Sequence, residues 1–262
     1  MRQAHTARAG MVRVGTAAWS IPKLHAHAFP AEGSHLERYG AILNAVEINS
    51  SFYRPHRRST YERWAGAVPD DFRFAVKMPK AITHEQRLAD ADALLDRFLL
   101  EVSGLGERLG PILVQLPPKL AFESGLSDAF LHGLRYRFAG DVVCEPRHAS
   151  WFTAAVDAAM VELQIARVAA DPAPVPGAGD PGGWRGLSYH RLHGSPRMYY
   201  SPYEAETLSA IAARLLDDEA RGRKVWCIFD NTAEFAATRD ALTVRTALQG
   251  CLRLSGVRTA GG

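Results

Sequence analysis

The chain has 262 residues, of which 47% are hydrophobic and 23% are charged. These proportions are typical of a folded globular protein, and the length allows one large domain or two small ones. The formal net charge of +3 is small, so charge alone indicates neither a nucleic-acid partner nor a membrane partner.

Short strand-like segments recur along the whole chain, rich in β-branched or aromatic residues and bounded by Gly, Pro, Asp or Asn. They lie at 12–16, 45–49, 72–77, 112–116, 141–145, 165–170, 187–192 and 225–230. Because helix-like stretches separate most of them, we predict an α/β fold, a single-domain (β/α)8 TIM-barrel-like structure over 12–250. Tails are expected at 1–11 and 251–262. An open doubly wound sheet is the main alternative, but no GxGxxG motif follows the first strand.

Three of the predicted helices have recognisable end signals. The first should end at Gly110, just before Pro111. The second should begin after Ser201, with Pro202 at its first position, and end at Gly222. The third should begin after Thr232 and end at Gly250.

One segment, 171–186, replaces a helix after the sixth strand with a run rich in Pro and Gly. It has no hydrophobic periodicity. Two interpretations remain open, an irregular flexible connection or a mobile lid over the barrel mouth, since βα loops line the catalytic face of such barrels.

The cysteines indicate a reducing compartment. Cys144, Cys227 and Cys251 are odd in number and far apart, and two of them lie in apolar strand-like runs, so buried free thiols are expected rather than disulfides. No apolar run approaches the ~20 residues that span a bilayer, and residues 1–10 lack the apolar segment of a secretion signal. We therefore expect a cytoplasmic protein with no membrane partner.

Nearly every predicted strand begins apolar and ends polar on one face. Alternate strand residues face the barrel interior, and the last inward ones point into the mouth, where barrel enzymes keep their chemistry. By this rule the mouth contains Glu47, Asn49, Lys77, Gln115, Glu145, Arg147, Arg191 and His193, together with Asp230 or Asn231. Tyr189 shares the inward face of its strand with Arg191 and His193. Singly, each has a plainer explanation, such as a Glu47–Arg147 ion pair or a structural histidine, but their convergence indicates a functional pocket.

The motifs VGTAAWS, NAVEINSSFYRP, RFAVKMPKAITH, GPILVQLPP, CEPRHASW, YHRLHGS and FDNT resemble those of the YecE-like family, also called domain of unknown function 72. The resemblance runs from about Val12 to Leu248 and implies a TIM-barrel-like fold without assigning a reaction. The residues that match its motifs are Trp19, Glu47, Asn49, Phe52, Tyr53, Lys77, His84, Gln115, Glu145, Arg147, His148, Trp151, Arg191, His193, Gly194 and Asn231. This chain departs at Ala18, where Gly is common, at Pro146, where an aromatic is common, and at Asp230, where Asn is frequent.

These residues favour a small anionic, hydroxyl-bearing ligand such as a sugar phosphate, because Lys and Arg suit phosphate or carboxylate and amides orient hydroxyls. We predict no cofactor. Glu47, Lys77, Glu145 and His193 are the candidate catalytic residues, as general acids and bases or, for Lys77, as a Schiff-base former. The candidate binding residues are Asn49, Tyr53, His84, Gln115, Arg147, His148, Trp151, Arg191 and Asn231.

Two other functions stay open at this point. A metal-dependent phosphoester hydrolase, an analogy to endonuclease-IV-like barrels at the level of the fold, would need histidines and carboxylates to converge as ligands, yet no HExxH spacing is present. A non-catalytic nucleic-acid binder would use the basic runs 54–60 and 221–224 beside Phe52 and Tyr53. A solvated surface is the plainer explanation of both runs.

Overall fold

The computed structural model describes residues 12–258. Within this range the chain forms a 10-stranded sheet with helices between most strands. The strands are β1 (Arg13–Ala17), β2 (Ala45–Ile48), β3 (Arg73–Lys77), β4 (Leu109–Gln115), β5 (Val142–Glu145), β6 (Ile165–Arg167), β7 (Ala169–Asp171), β8 (Gly182–Gly183), β9 (Leu187–Leu192) and β10 (Lys224–Phe229).

The sheet curls into a parallel barrel that is closed through an interrupted sixth strand. Parallel pairing runs from β9 through β10 and β1 to β6, and β7 pairs in parallel with β9. Val168 alone separates β6 from β7, and its amide donates to the carbonyl of Cys144. Because β6 pairs with β5 while β7 pairs with β9, this one strand joins the two ends of the ring. The predicted single-domain TIM-barrel-like fold is therefore confirmed.

Helices follow the strands and surround the barrel. They are α1 (His35–Gly40), α2 (Ser50–Tyr53), α3 (Arg58–Gly66), α4 (Asp92–Val102), α5 (Ala129–Arg137), α6 (Ala154–Glu162), α7 (Ala205–Ala220) and α8 (Ala236–Arg258). Shorter helical turns lie at Lys23–Ala28, Ala81–Glu85, Ser103–Arg108, Ser124–Asp128 and Ala149–Trp151. No helix in the described range is long and apolar enough to cross a bilayer.

The predicted helix ends were less accurate than the strands. The helix expected to end at Gly110 ends at Val102, and Gly110 lies inside β4. The helix expected to begin after Ser201 is α7, which begins at Ala205. The carbonyl of Ser201 instead accepts a hydrogen bond from Asn231. The last helix begins at Ala236, not after Thr232, and continues past Gly250 to Arg258. The predicted tail 1–11 lies outside the described residues, as do 259–262.

The barrel interior confirms the two-residue period of the strands. Small and branched side chains fill its lower part, among them Ala45, Ala75, Leu113, Val143 and Ile228. A second, larger apolar layer lies between the strands and the helices. Cys144 and Cys227 are buried free thiols in that outer layer, as expected, whereas Cys251 is exposed, contrary to the expectation. Because the inward face is apolar below, its polar residues are concentrated at the carboxyl ends of the strands.

The segment 171–186 is mostly irregular, and its end is anchored to the barrel wall. Its strand β8 pairs antiparallel with β6. The amide of Ala170 donates to the carbonyl of Ala178, and that of Trp184 donates to Ile165. The amide of Gly183 donates to the Asp157 carboxylate on α6. These bonds hold the end of the segment beside the sixth strand, where no helix is present.

Candidate functional site

Arg191, at the inward face of β9, is the centre of a buried ion-pair network at the barrel mouth. Its side chain is 1% exposed, although a guanidinium is costly to bury. Its Nε and Nη2 atoms donate to Glu47 over 2.8 to 3.1 Å, and Nη1 donates to Glu145 over 3.0 Å. Nη2 also lies 2.9 Å from Asp230 Oδ2. Although burial opposes its charge, these carboxylates hold the pKa of Arg191 well above its usual value.

Glu145, at the end of β5, receives hydrogen bonds from three strand-end side chains. Besides Arg191, its carboxylate accepts from Gln115 Nε2 over 3.1 Å and from Arg147 Nε and Nη2 over 3.0 and 2.9 Å. Burial favours the protonated acid, but the attraction of Arg191 and His193 outweighs it and holds the pKa of Glu145 well below its usual range. Glu145 is therefore an anion and a hydrogen-bond acceptor at neutral pH.

His193 and Asp230 form a second unit of the mouth. His193 Nδ1 lies 3.0 Å from Asp230 Oδ2, and both side chains are buried. His193 Nε2 has no hydrogen-bond partner in the described part of the chain; it lies 3.5 Å from Glu145 Oε1 without the alignment of a hydrogen bond. Burial alone would lower the pKa of His193, but the carboxylates of Asp230 and Glu145 raise it above 6.5. An imidazole that is held in one orientation, and whose second nitrogen makes no hydrogen bond to a described residue, suits proton transfer.

Lys77, at the end of β3, has no anionic partner of its own. Its side chain is 8% exposed, and its Nζ lies 4.0 Å from the centre of the Phe52 ring. Within the described range, Nζ makes no hydrogen bond and no ion pair. Burial and the charge of Arg191 lower the pKa of the amine from 10.5 to about 8, against the attraction of the mouth carboxylates.

An aromatic rim lies beside Lys77. The imidazole of His84 packs edge-on against Phe52, with ring centres 4.9 Å apart, and its Nδ1 lies 2.8 Å from Thr83 Oγ1. Burial, with the charges of Lys77 and Arg147, lowers the pKa of His84. Tyr53 also packs edge-on against Phe52, with ring centres 5.0 Å apart, and is 72% exposed. Phe52 thus connects the buried amine with the outer rim.

Asn49 lies between the mouth and a neighbouring cavity. Its Nδ2 lies 3.5 Å from Asp230 Oδ1, and its buried Oδ1 has no partner among the described residues. Asn49 also lines a cavity of about 300 Å³ whose walls include Trp19, Ser50 and Trp64. An unsatisfied amide oxygen beside a cavity is a natural acceptor for a ligand hydroxyl.

Three predicted binding residues lie outside this cluster. Trp151 is fully buried, and its Nε1 donates to the carbonyl of Leu120, so it belongs to the core. His148 accepts from the amide of Ser150 and caps a helical turn. Asn231 bonds to the Ser201 carbonyl and to Asp240, whereas its neighbour Asp230 is the residue that faces inward. These contacts hold loops in place and do not reach the other mouth residues.

Sequence reasoning left two tyrosines out of the candidate site. The hydroxyl of Tyr189 donates to Glu47 Oε2 over 2.8 Å, and its inward position two residues before Arg191 was visible in the strand pattern. Tyr199 packs edge-on against His193, with ring centres 5.5 Å apart, and its hydroxyl lies 3.4 Å from Arg147 Nη2. It lies on an irregular loop, where no periodicity could indicate its direction. The turn at Gly194, with φ +92°, begins this loop.

The first loop retains a left-handed residue despite the departure at Ala18. Ala18 has φ +70°, a conformation that Gly adopts without steric cost and Ala does not. Its amide donates to the Glu47 carbonyl over 2.9 Å, and its carbonyl accepts from Thr16 Oγ1 over 2.6 Å. These two bonds hold a tight turn at a position where Gly is common.

The network leaves the cluster close to electrically neutral. Glu47, Glu145 and Asp230 are all paired with Arg191, and these three carboxylates balance the charges of Lys77, Arg147 and Arg191. In the described range, no group of three His, Cys, Asp or Glu side chains is arranged to hold a metal ion. The geometry therefore does not favour the metal-dependent alternative.

The second basic run is paired with acidic neighbours, and the first run is paired in part. Arg58 pairs with Glu62, and Arg221 pairs with Asp217. In the second run, Lys224 also pairs with Asp141, over 2.9 Å. These pairs reduce the local positive charge that a nucleic-acid surface would need.

Comparison with solved structures identifies the same fold in proteins of one family. A DUF72 family protein from Enterococcus faecalis V583 superposes with a TM-score of 0.77 at 23% identity, covering 91% of this chain and 96% of that chain. A DUF72 family protein from Thermotoga maritima MSB8 superposes with a TM-score of 0.75 at 23% identity, covering 91% of this chain and 99% of that chain. At this identity the likeness establishes the fold alone.

Sequence relatives carry no assigned activity in their names. UPF0759 protein YecE of Escherichia coli K12 is 35% identical over 107 residues, which are 41% of this chain and 38% of the relative. UPF0759 protein YunF of Bacillus subtilis 168 is 26% identical over 154 residues, which are 55% of this chain and 53% of the relative. The chain thus aligns with about half or less of each relative's length. The sequence model of the family described as "Protein of unknown function DUF72" matches residues 13–257, so this chain belongs to the DUF72 family.

Proposed function

We propose that the barrel mouth binds a small anionic, hydroxyl-bearing metabolite, such as a sugar phosphate, and converts it. The observation that carries this proposal is the unpaired ammonium of Lys77, 8% exposed and next to a network in which every carboxylate already has a cation. A buried charge without a partner is costly, and an incoming anion would remove that cost.

The remaining mouth donors support an anion rather than a cation. Arg191 is saturated by Glu47, Glu145 and Asp230, so it serves as the frame of the site. Lys77 has no anionic partner among residues 12–258, and Arg147 is 19% exposed while it bonds Glu145. An anion placed by Lys77 would gain charge-assisted hydrogen bonds, which contribute roughly 1.5–3 kcal/mol each.

The neutral polar groups support a hydroxylated ligand. The Asn49 Oδ1 atom is buried without a partner, and the adjoining cavity of about 300 Å³ is lined by Trp19 and Trp64. Sugar rings pack on indole faces while their hydroxyl groups bond to amides, which is the usual composition of a polar ligand site.

The site also contains the parts of an acid–base catalyst. The Asp230 carboxylate fixes the His193 ring through Nδ1, while Nε2 remains without a hydrogen-bond partner in the described residues. A base held in one orientation next to a bound ligand is the requirement for proton transfer in catalysis. We therefore assign to His193 the transfer of a proton to or from the bound ligand.

Isothermal titration calorimetry tests the binding proposal, with inorganic phosphate, glucose 6-phosphate and glucose as probes. We expect both phosphates to bind, and Lys77→Gln to weaken them by about tenfold or more. Lys224→Gln is the matched control, because Lys224 begins β10 at the opposite barrel end and is 60% exposed in its pair with Asp141. Equal affinity of all three proteins for phosphate, or no binding of either phosphate to any of them, would contradict the proposal.

The cytoplasm is the compartment that we propose. The free thiols of Cys144 and Cys227 are buried in the protein, which fits a reducing environment. A phosphorylated metabolite is also a ligand of that compartment.

A further inference from the structure

The chain uses lysine sparingly and places one lysine where arginine would give a stronger anion contact. Most of its 31 basic residues are arginines. The other lysines are Lys23, Lys80, Lys119 and Lys224, none of which is buried. Arginine binds phosphate with a fork of donors but is never deprotonated in proteins, whereas a buried lysine loses its proton readily. The position at the end of β3 thus has a residue that can become a neutral amine.

The surroundings of Lys77 keep that amine available. Its Nζ lies over the Phe52 ring and makes no hydrogen bond or ion pair with any described residue. An amine tied to a carboxylate would be held protonated and blocked, but here Arg191 has taken all three mouth carboxylates. Burial and the charge of Arg191 lower the pKa of the amine to about 8. A desolvated lysine beside another cation is the arrangement that activates an amine nucleophile.

We propose that Lys77 is a catalytic nucleophile that forms an imine with an aldehyde or ketone group of the anionic substrate. This inference rests on the proposed function and narrows the substrate class to carbonyl compounds that carry a phosphate or carboxylate. The neutral Nζ adds its electron pair to the carbonyl carbon, and one amine proton moves to the carbonyl oxygen to give a carbinolamine. A further proton on that hydroxyl lets the C–O bond break, so that water leaves and a protonated imine remains.

We assign to His193 the donation of the proton that water departure requires. Its Nδ1 is fixed by Asp230, and its buried Nε2 lacks a hydrogen-bond partner among the described residues. The neighbouring carboxylates favour its protonated form. Imidazolium gives up the Nε2 proton as the hydroxyl leaves, and the neutral ring regains it from water in the reverse hydrolysis. Lys77 and His193 therefore divide the nucleophilic and acid–base parts of one step.

Reductive trapping with pyridoxal 5′-phosphate tests the inference, because this probe joins an aldehyde to a phosphate. Wild-type protein is incubated with the probe at pH 7.5, reduced with sodium cyanoborohydride and mapped by peptide mass spectrometry. An amine of pKa about 8 is unprotonated on the order of a hundredfold more often at this pH than an ordinary lysine. We expect Lys77 to be labelled fastest, excess inorganic phosphate to protect it, and Lys77→Arg to lose that label.

The controls separate this inference from the proposed function. Pyridoxine 5′-phosphate has the phosphate but no carbonyl group, so its binding reports anion recognition alone. If it binds while Lys77 is labelled no faster than Lys80 or Lys224, the imine inference is overturned and anion binding stands. If it does not bind and Lys77 is not labelled, both proposals fail. Mapping of the wild-type label decides the inference even if Lys77→Arg does not fold.

Discussion

The guanidinium of Arg191 on β9 donates hydrogen bonds to the carboxylate of Glu47 on β2. Its Nε lies 3.1 Å from both carboxylate oxygens, and its Nη2 lies 2.8 Å from one of them. The two residues lie on opposite parts of the ring, since β10 and β1 separate their strands. This buried pair therefore ties the barrel across its mouth. It also removes Arg191 from the list of groups free to meet a ligand.

Replacement of Arg191 tests its role as the frame of the mouth. In Arg191→Met, Glu47, Glu145 and Asp230 lose their shared cation, and we expect the free energy of unfolding to fall by about 3–5 kcal/mol. Urea denaturation at pH 7 measures this loss. Arg214→Met is the control, because its pair with Asp180 is exposed and should contribute less than about 1 kcal/mol. Equal stabilities of the two variants would show that the network is not structural.

Removal of the Lys77 charge should stabilise the protein while it abolishes function. The lowering of the amine pKa from 10.5 to about 8 corresponds to about 3 kcal/mol against the protonated form in the folded state. Lys77→Met should therefore raise the free energy of unfolding by about 1–3 kcal/mol at pH 7.

The stability difference between Lys77→Met and the wild type should depend on pH, because the pKa of Lys77 is lower in the folded protein than in the unfolded chain. Between pH 8 and 10.5 the unfolded chain holds the Lys77 proton more tightly than the folded protein does, so wild-type stability rises with pH and the advantage of Lys77→Met shrinks. Denaturation of both proteins at pH 7, 8, 9 and 10 provides the comparison. A Lys77→Met variant that is less stable than wild type at pH 7 would contradict this account of the amine.

A glycine at residue 18 should stabilise the first loop. Ala18 has φ +70°, and a left-handed residue with a Cβ costs roughly 1–2 kcal/mol relative to one without. We expect Ala18→Gly to raise the free energy of unfolding by up to about 1 kcal/mol, since glycine also loses more entropy on folding. Thermal denaturation measures the change. An Ala17→Gly control at the preceding buried strand position should lower stability, and a loss at both positions would refute the interpretation.

Two buried histidines should have pKa values that are shifted in opposite directions. The carboxylates of Asp230 and Glu145 raise the pKa of His193 above 6.5, so its stabilisation is complete below pH 6.5 and is lost as pH rises through the folded value. Burial lowers the pKa of His190, although Asp218 opposes it, so His190 loses stabilisation as pH falls below 6.5. NMR titration of the two imidazoles checks the order. A His193 pKa below that of His190 would be incompatible with the network described.

The sequence predicts the barrel and most of its mouth because both follow from the two-residue alternation of side chains along each strand. Alternation along each strand puts Glu47, Lys77, Glu145 and Arg191 on the inward face, and parallel strands bring their carboxyl ends together. The same rule indicated Tyr189. These placements need only the local backbone, which the apolar pattern already specifies.

The errors lie where contacts between distant segments decide the structure. Ser201 has the composition of a helix cap, but its hydroxyl accepts from the amide of Arg197 and its carbonyl accepts from Asn231, so α7 starts later. Trp151 follows a strand end, yet its indole reaches the Leu120 carbonyl in the core. Arg191 was expected to meet a ligand because the sequence gives charges without showing which are already paired.

An NMR titration of Lys77, followed through its labelled side-chain methylene next to Nζ, tests for an anion site at this lysine. We expect a pKa of about 8 for the free protein and a higher pKa in the presence of inorganic phosphate, because a bound anion favours the charged amine. A pKa near 10.5 without phosphate, or a value near 8 that saturating phosphate does not change, would contradict an anion site at this lysine.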